Sequence, residues 1–370
     1  MKCEVEFIAV GDNSKAGDAI VIRYGEPHDY RLMLVDGGHG QTGERLVEHL
    51  RNQFGPYVAL EHVLLTQSDA DHASGLRTVL KEIPVRNMWL HVPWLLARDV
   101  VHLFDDRRWT QDGLEGAIRK EYDIIGEIVD LAAAAGAQLR YPFEGDDIGP
   151  FRILSPSRYA YLHLLPQFEK TPAANESAIK AASMWIGKAS IMQKIIDAAR
   201  AKVDSWITES WMSERLKDGG ITSASNESSV VLYGAFDGGR RYLLTGDAGV
   251  NALTWAADYA DSTGLPLQNF TFVQVPHHGS RRNVGPLILT RLVGPILPED
   301  TAGTFSAYVS APADDESHPR RIVLNAFKRR GGIIIATQGS NKVHMGGFPT
   351  RAGYGDVEAL PFYTRVEANT

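Results

Sequence analysis

Apolar residues near the N-terminus fall in short runs cut by Gly and Asp, the spacing of strands and tight turns. Val5 to Val10 reads as a first strand ending at Gly11, Gly17 to Tyr24 as a second, and Tyr30 to Val35 as a third closed by Asp36-Gly37-Gly38. Three short strands so joined predict an antiparallel start. Leu46, Val47, Leu50 and Phe54 then recur at helical spacing, predicting a helix from Thr42 to Phe54. Val63 to Leu65 reads as a buried strand running into a polar turn, after which Leu76, Val79 and Leu80 begin another helix. Asn87 to Val92 predicts a strand and Trp94 to Leu103 a helix. Leu114, Ile118, Ile125, Ile128, Val129 and Ala132 mark one helix that stops near Gly136. Alternating strands and helices predict an α/β layered domain whose first half spans residues 1–155.

The pattern changes over residues 156–224, which are Ala-rich, poor in β-branched clusters and hold three of the seven tryptophans. Met192, Ile196, Ala199, Val203, Trp206 and Ser210 step by four and three, one face of a long helix. A helical insertion is expected here, serving as a lid, a dimer surface or added packing. Strands return over residues 225–340. Ser229 to Gly234 and Arg241 to Leu244 flank the hairpin turn Phe236-Asp237-Gly238-Gly239, and the second strand delivers Thr245-Gly246-Asp247. Asn269 to Val275 leads into Pro276-His277-His278-Gly279-Ser280, and Thr304 to Ser310 is a further strand. Ser317-His318-Pro319 reads as the cap and first turn of a helix reaching Arg330, and Ile333 to Thr337 completes the sheet. Residues 341–370 form a tail with no predicted element.

Composition narrows the class. The 370 residues are 44% apolar and 22% charged, as in an ordinary globular protein, so a single core with an insertion is expected. Lys and Arg number 38 against 45 Asp and Glu, a net charge of −7 that excludes a global positive field. A nucleic-acid partner would have to meet a local patch. The one cysteine, Cys3, excludes an internal disulfide and points to a reducing compartment. No apolar run is long enough to span a membrane, and Met1 to Glu6 has no signal-peptide character. A soluble cytoplasmic protein with no membrane partner is expected.

Candidate chemistry gathers at strand ends. Asp69, Asp71 and His72 follow one strand, Asp247 a second, and His277 with His278 a third. Carboxylates and imidazoles at such spacing suit a divalent cation. For each stretch taken alone, a solvated acidic turn or a packed histidine is the competing reading.

These motifs together resemble the metallo-β-lactamase fold superfamily, most closely the metallo-β-lactamase-like domain of ComEC-type competence proteins. The resemblance rests on Phe7 to Gly11 followed by Gly17-Asp18-Ala19-Ile20, on Val35 to Gly38, and on Asp69 where other branches keep a second His. Asn226 to Ser229, Leu243 to Asp247, Pro276 to Ser280 and His318-Pro319 complete it. It covers residues 5–155 and 225–340 and implies an αββα sandwich with a helical insertion and metal at one edge between the sheets. By motif, Asp71, His72 and His278 would form one metal site, with Asp247 bridging to a second. His277 would orient the loop or serve as an alternate ligand. The family's usual first His is replaced by Gln67, leaving the other site with the oxygen ligands Gln67, Asp69 and Asp247. One or two ions are expected, Zn²⁺ or Mn²⁺, with Mn²⁺ the better match if two bind. The resemblance implies a hydrolase that generates hydroxide on a cation and attacks a phosphodiester, most simply a nuclease, with a nucleic acid or nucleotide as substrate. Asp71 and His318 would be the catalytic groups, His318 giving a proton or contacting phosphate. Asn226, Ser280, Arg281 and Arg282 would bind substrate, and Arg320, Arg321 and the Lys328 to Arg330 run could neutralise phosphate, unless that run is a solvated basic face. Two alternatives stay open. One is a same-fold hydrolase of a small ester, lactone or cyclic nucleotide. The other is a degraded member, suggested by Gln67, that binds without catalysis.

Overall fold

The computed structural model describes all residues except 12–14, 106–107, 184–204, 316 and 369–370. Strands β1 (Lys2–Phe7), β2 (Ile20–Glu26) and β3 (Asp29–Val35) are followed by helix α1 (Gly40–Phe54). Next come β4 (Leu60–Leu64), the one-turn α2 (Ala70–Ala73), α3 (Leu76–Glu82) and β5 (Val85–Trp89). Then α4 (Pro93–Ala97), α5 (Gln111–Glu121) and α6 (Asp123–Ala134) lead to β6 (Gln138–Arg140). The single helix expected across Leu114 to Ala132 is two, because Tyr122 leaves helical backbone at φ −106°, ψ 50°.

The second half begins with β7 (Asp147–Ile148) and β8 (Phe151–Ser155), then α7 (Arg158–Leu164), α8 (Glu176–Ser183), β9 (Trp206–Thr208) and α9 (Ala224–Glu227). It continues through β10 (Val231–Phe236), β11 (Arg240–Leu244), α10 (Val250–Thr263), β12 (Phe272–Gln274) and α11 (Pro286–Val293). The last elements are β13 (Phe305–Val309), α12 (Arg321–Arg329), β14 (Gly332–Ala336), β15 (Lys342–His344) and β16 (Arg365–Glu367).

Two seven-stranded sheets result, ordered β15-β1-β2-β3-β4-β5-β6 and β14-β13-β12-β11-β10-β8-β7. Side chains alternate across each strand, so every central strand feeds two layers. In β2, Ile20 and Ile22 enter the layer between the sheets while Val21 joins the helices outside; in β11, Tyr242 and Leu244 face in and Leu243 out. Phe7, Met33, Leu64, Phe151, Leu232, Phe272 and Tyr308 fill the space between the sheets. Residues of α1, α3, α5 and α6 cover one outer face, and residues of α10, α11 and α12 the other. The αββα sandwich expected from the sequence is therefore the architecture of the chain.

Three expectations change. Met192, Ile196, Ala199 and Val203 lie outside the described residues, whereas Trp206 sits in β9, paired antiparallel with β16 rather than on a helix. The tail is not elementless: β15 forms the edge of the first sheet, with Val5 opposite His344. Helix α12 starts at Arg321, so Ser317 and His318 precede it in a loop. No helix among the described residues is long and apolar enough to cross a membrane.

The topology also sets where function can lie. β3 to β6 are parallel, as are β11 to β14, so their C-terminal ends collect along one edge of each sheet. The loops that leave such ends form the crevice where α/β folds hold ligands. Because Ile20 pairs antiparallel with Val35, residues just before β2 lie at that same edge.

Candidate metal centre

The turn after β3 places Asp36, a non-glycine residue at φ 59°, with its carboxylate fully buried. It accepts the Thr66 backbone N–H (2.7 Å), the Thr66 hydroxyl (2.6 Å) and the His72 Nδ1–H (2.8 Å). The last bond orients the His72 ring, leaving Nε2 toward Asp247 Oδ2 at 3.2 Å. A carboxylate behind the imidazole is the usual way to fix the tautomer of a metal-binding histidine. Burial alone would lower the His72 pKa; the Asp247 and Asp36 carboxylates reverse that and hold it well above the ordinary value.

The second sheet supplies Asp247 after β11 and His278 after β12. His278 takes φ 54°, and its Nδ1–H donates to the Ser310 carbonyl (3.1 Å). A carbonyl can only accept, so Nε2 carries the free lone pair. That atom is 3.7 Å from Asp247 Oδ1 and has no hydrogen-bond partner. Burial lowers the His278 pKa despite the Asp247 carboxylate, with His277 and His72 adding to the effect, and so keeps the ring neutral. Burial pushes the Asp247 pKa up, but His277, His72 and His278 together draw it far below the usual carboxylate range.

Asp18, just before β2, reaches the same point. Its Oδ2 accepts Gln274 Nε2 (2.8 Å), and Gln274 is itself fixed because its Oε1 accepts the Thr245 and Gly246 N–H groups (2.9 and 3.0 Å). Gly17 permits the approach: a Cβ there would lie 2.5 Å from the Asp71 carbonyl oxygen. Burial and the Asp247 charge push the Asp18 pKa up to about 6, against His72 and the Ser310 hydroxyl, which draw it down.

Among the described residues, three groups have ligand atoms mutually close enough for one cation: Asp71, His72 and His278; Asp18, Asp247 and His278; and Asp18, Asp36 and His72. Fifteen buried side-chain polar atoms among the described residues have no hydrogen-bond partner, and Asp18 Oδ1, Gln67 Oε1, Asp247 Oδ1 and His278 Nε2 are among them. Buried polar atoms are seldom left unsatisfied, and these four are oxygens and an imidazole nitrogen of the kind that bind divalent metals. The residues fit a cation.

Comparison with known proteins adds the following. No family model matches the chain, and no curated protein matches it. Among solved structures, it is similar to zinc-bound PqqB of Methylobacterium extorquens, at 12% identity, covering 92% of this chain and 99% of that one, with a TM-score of 0.39. It is similar also to the metallo-β-lactamase fold protein YhfI of Bacillus subtilis, at 10% identity, covering 93% and 100%, TM-score 0.37. A third is MEM-A1, a subclass B3 metallo-β-lactamase from a soil metagenome library, at 10% identity, covering 88% and 89%, TM-score 0.33. These superpositions are loose, and the site rests on its own geometry.

The structure brings Asp71, His72, Asp247 and His278 together, and it places the other expected residues as follows. Gln67 donates its amide Nε2–H to Asp247 Oδ2 (2.8 Å). Asp69 accepts the Ser225 hydroxyl (2.7 Å) and belongs to none of the three groups. His277 Nε2 lies 3.6 Å from Asp247 Oδ2, while its Nδ1 bonds Asn283 Oδ1 (2.9 Å); burial would lower its pKa, but Asp247 raises it. Asn226 is buried beside it, donating to Thr222 Oγ1 (2.7 Å). Ser280 is buried, with its hydroxyl near the Arg282 N–H (3.3 Å). Arg281 donates to the Ala368 carbonyl (2.9 Å), and Arg282 is exposed. The His318 ring is 6.0 Å from that of His277 and 6.5 Å from that of His278.

The basic run on α12 reads differently from either sequence expectation. Arg329 is fully buried against Glu209 (3.3 Å) and the Trp211 carbonyl (2.9 Å), and Arg330 pairs with Glu214 (2.7 Å). Both anchor the 209–214 segment and neither is a solvated face. Sequence reading assigned no role to Asp18, Asp36, Gln274, Asn283 or Asp315. The signal for the first two was the β2–β3 pairing, which puts both carboxylates at one sheet edge.

Proposed function

We propose that this protein is a metal-dependent hydrolase whose substrate is an anionic phosphodiester. The observation that carries the reading is the convergence of unpartnered, buried ligand atoms from both sheets on one point. A divalent cation there supplies water of lowered pKa and polarises the bond under attack. Around it, Asp36 and the Ser310 carbonyl hold His72 and His278 in the tautomers that present Nε2, and Asn283 does the same for His277.

His318 handles the proton. Asp315 Oδ1 accepts the Ser317 hydroxyl, so that hydroxyl's oxygen is left to accept from His318 Nδ1 (3.0 Å). The remaining lone pair is then on Nε2. Burial lowers the His318 pKa and the neighbouring histidines add to this, against Asp315, which raises it. A neutral ring suits proton acceptance from attacking water and its return to the leaving oxygen. Arg320 has Arg281, Arg282, Glu367 and Asp315 as charged neighbours; burial and the two arginines lower its pKa against the two carboxylates, and the three arginines are in excess. This local cationic group favours an anionic substrate despite the net charge of −7.

The test is hydrolysis of bis-p-nitrophenyl phosphate and of DNA by chelator-treated protein resupplied with Mn²⁺ or Zn²⁺. Asp247→Asn should abolish turnover. His318→Ala should lower kcat by roughly 10²–10⁴ with little change in KM. A nucleic-acid substrate adds a steep fall in rate between about 50 and 200 mM salt, which a small ester or lactone does not show. Metal-free protein after purification and no turnover with any cation would leave the rival reading, a binding protein. The Gln67–Asp247 hydrogen bond is the observation that favours it.

A further inference from the structure

The position of the ion can be taken a step beyond the motif residues, on the reading that the site binds a divalent cation. Gln67 Nε2–H already occupies Asp247 Oδ2 at 2.8 Å, so a cation cannot sit between these two groups unless the amide turns away. The other carboxylate oxygen, Asp247 Oδ1, lies 3.7 Å from His278 Nε2, and neither atom has a hydrogen-bond partner. Two ligands each about 2.1 Å from one ion sit roughly 3.0–3.5 Å apart, so this span needs only a small contraction. Asp18 Oδ1, also without a hydrogen-bond partner, lies 3.9 Å from His278 Nδ1; Asp18, Asp247 and His278 are close enough to share one cation, and the Asp18 carboxylate is fixed from behind by Gln274. Asp18, Asp247 and His278 are 1%, 2% and 3% exposed.

We infer that Asp18 is a metal ligand through Oδ1, completing a site with Asp247 Oδ1 and His278 Nε2, and that Gln67 positions Asp247 instead of binding the ion. An isolated carboxylate in this interior would be costly; facing a cation, it is satisfied. Two carboxylates and one imidazole also form a harder ligand set than a histidine cluster and suit Mn²⁺.

Calorimetric titration of chelator-treated protein with Mn²⁺ tests the assignment. Asp18→Asn keeps the shape and removes the charge, and should weaken binding by roughly tenfold or more. Unchanged affinity in a folded Asp18→Asn protein overturns the inference. Should that variant not fold, Mn²⁺-soaked crystals of the unaltered protein decide by anomalous scattering. An ion bonded to Asp18 Oδ1 supports the assignment. An ion held by Asp71, His72 and His278 with Asp18 outside its coordination shell overturns it while leaving the proposed function intact. No ion at all removes both.

Discussion

Burial against a single carbonyl makes His91 the clearest pH-dependent residue outside the metal centre. Its ring lies between Phe143 and Tyr161, 4.8 and 4.2 Å away, and one ring N–H donates from Nε2 to the Pro142 carbonyl (2.7 Å). Loss of hydration pushes its pKa down to about 3, with the Pro142 bond opposing. In the unfolded chain the same ring titrates near ~6.5. The folded pKa is the depressed one, so its contribution to stability is complete above ~6.5 and is lost as pH falls toward the folded value. The loss amounts to about 5 kcal/mol at most across that window. Denaturant unfolding at pH 7 and pH 4 should show the parent losing several kcal/mol more than His91→Gln. Parallel losses in the two proteins would mean that another group controls acid unfolding.

At the scale of elements, the site depends on a cap that reaches between helices. Helix α10 follows Asp247 closely, and its N-cap is Gly249, which has no side chain to cap it. Glu227, at the end of α9, serves instead: its carboxylate accepts the Ala252 N–H (2.6 Å) and the Asn251 N–H (3.3 Å). Gly249 must be glycine here, since a Cβ would strike Glu227 Oε1. Glu227→Ala leaves those N–H groups unsatisfied and should cost about 2 kcal/mol. A thermal midpoint unchanged from the parent would show that water replaces the carboxylate. The same scale explains what the sequence revealed. Strands such as β2, β3 and β11 were legible because unbroken apolar runs feed two layers at once. Helix α10 was not, although its buried Ala252, Leu253, Ala256, Ala257 and Ala260 keep perfect helical spacing, because alanine hardly registers as apolar. β9 and β15 were hidden for another reason: their partners, β16 and β1, are remote in sequence, and local periodicity says nothing about pairing. Asp247 and the two histidines stood out because each ends an apolar strand beside glycine. Asp18 also stands beside a glycine, but it precedes its strand where the others follow theirs, and only the register of β2 against β3 gives it meaning.

For the whole molecule, the metal centre is a seam. His72 comes from the first sheet, Asp247 and His278 from the second, and the buried carboxylates Asp18 and Asp247 repel one another across the join. A cation bound there attracts both, so binding should add to the cohesion of the two halves. By mass action, a ligand at 100 times its dissociation constant stabilises the folded state by about 2.7 kcal/mol. For a protein of this size, that corresponds to a midpoint rise of roughly 3–4 °C. Chelator-treated protein should therefore melt earlier than the same sample with excess Mn²⁺ or Zn²⁺, and the gain should grow with the logarithm of cation concentration. Asp247→Asn should show much less of it, because the variant loses the carboxylate charge that the second sheet brings to the site. Equal gains in parent and variant would place the cation elsewhere on this acidic protein.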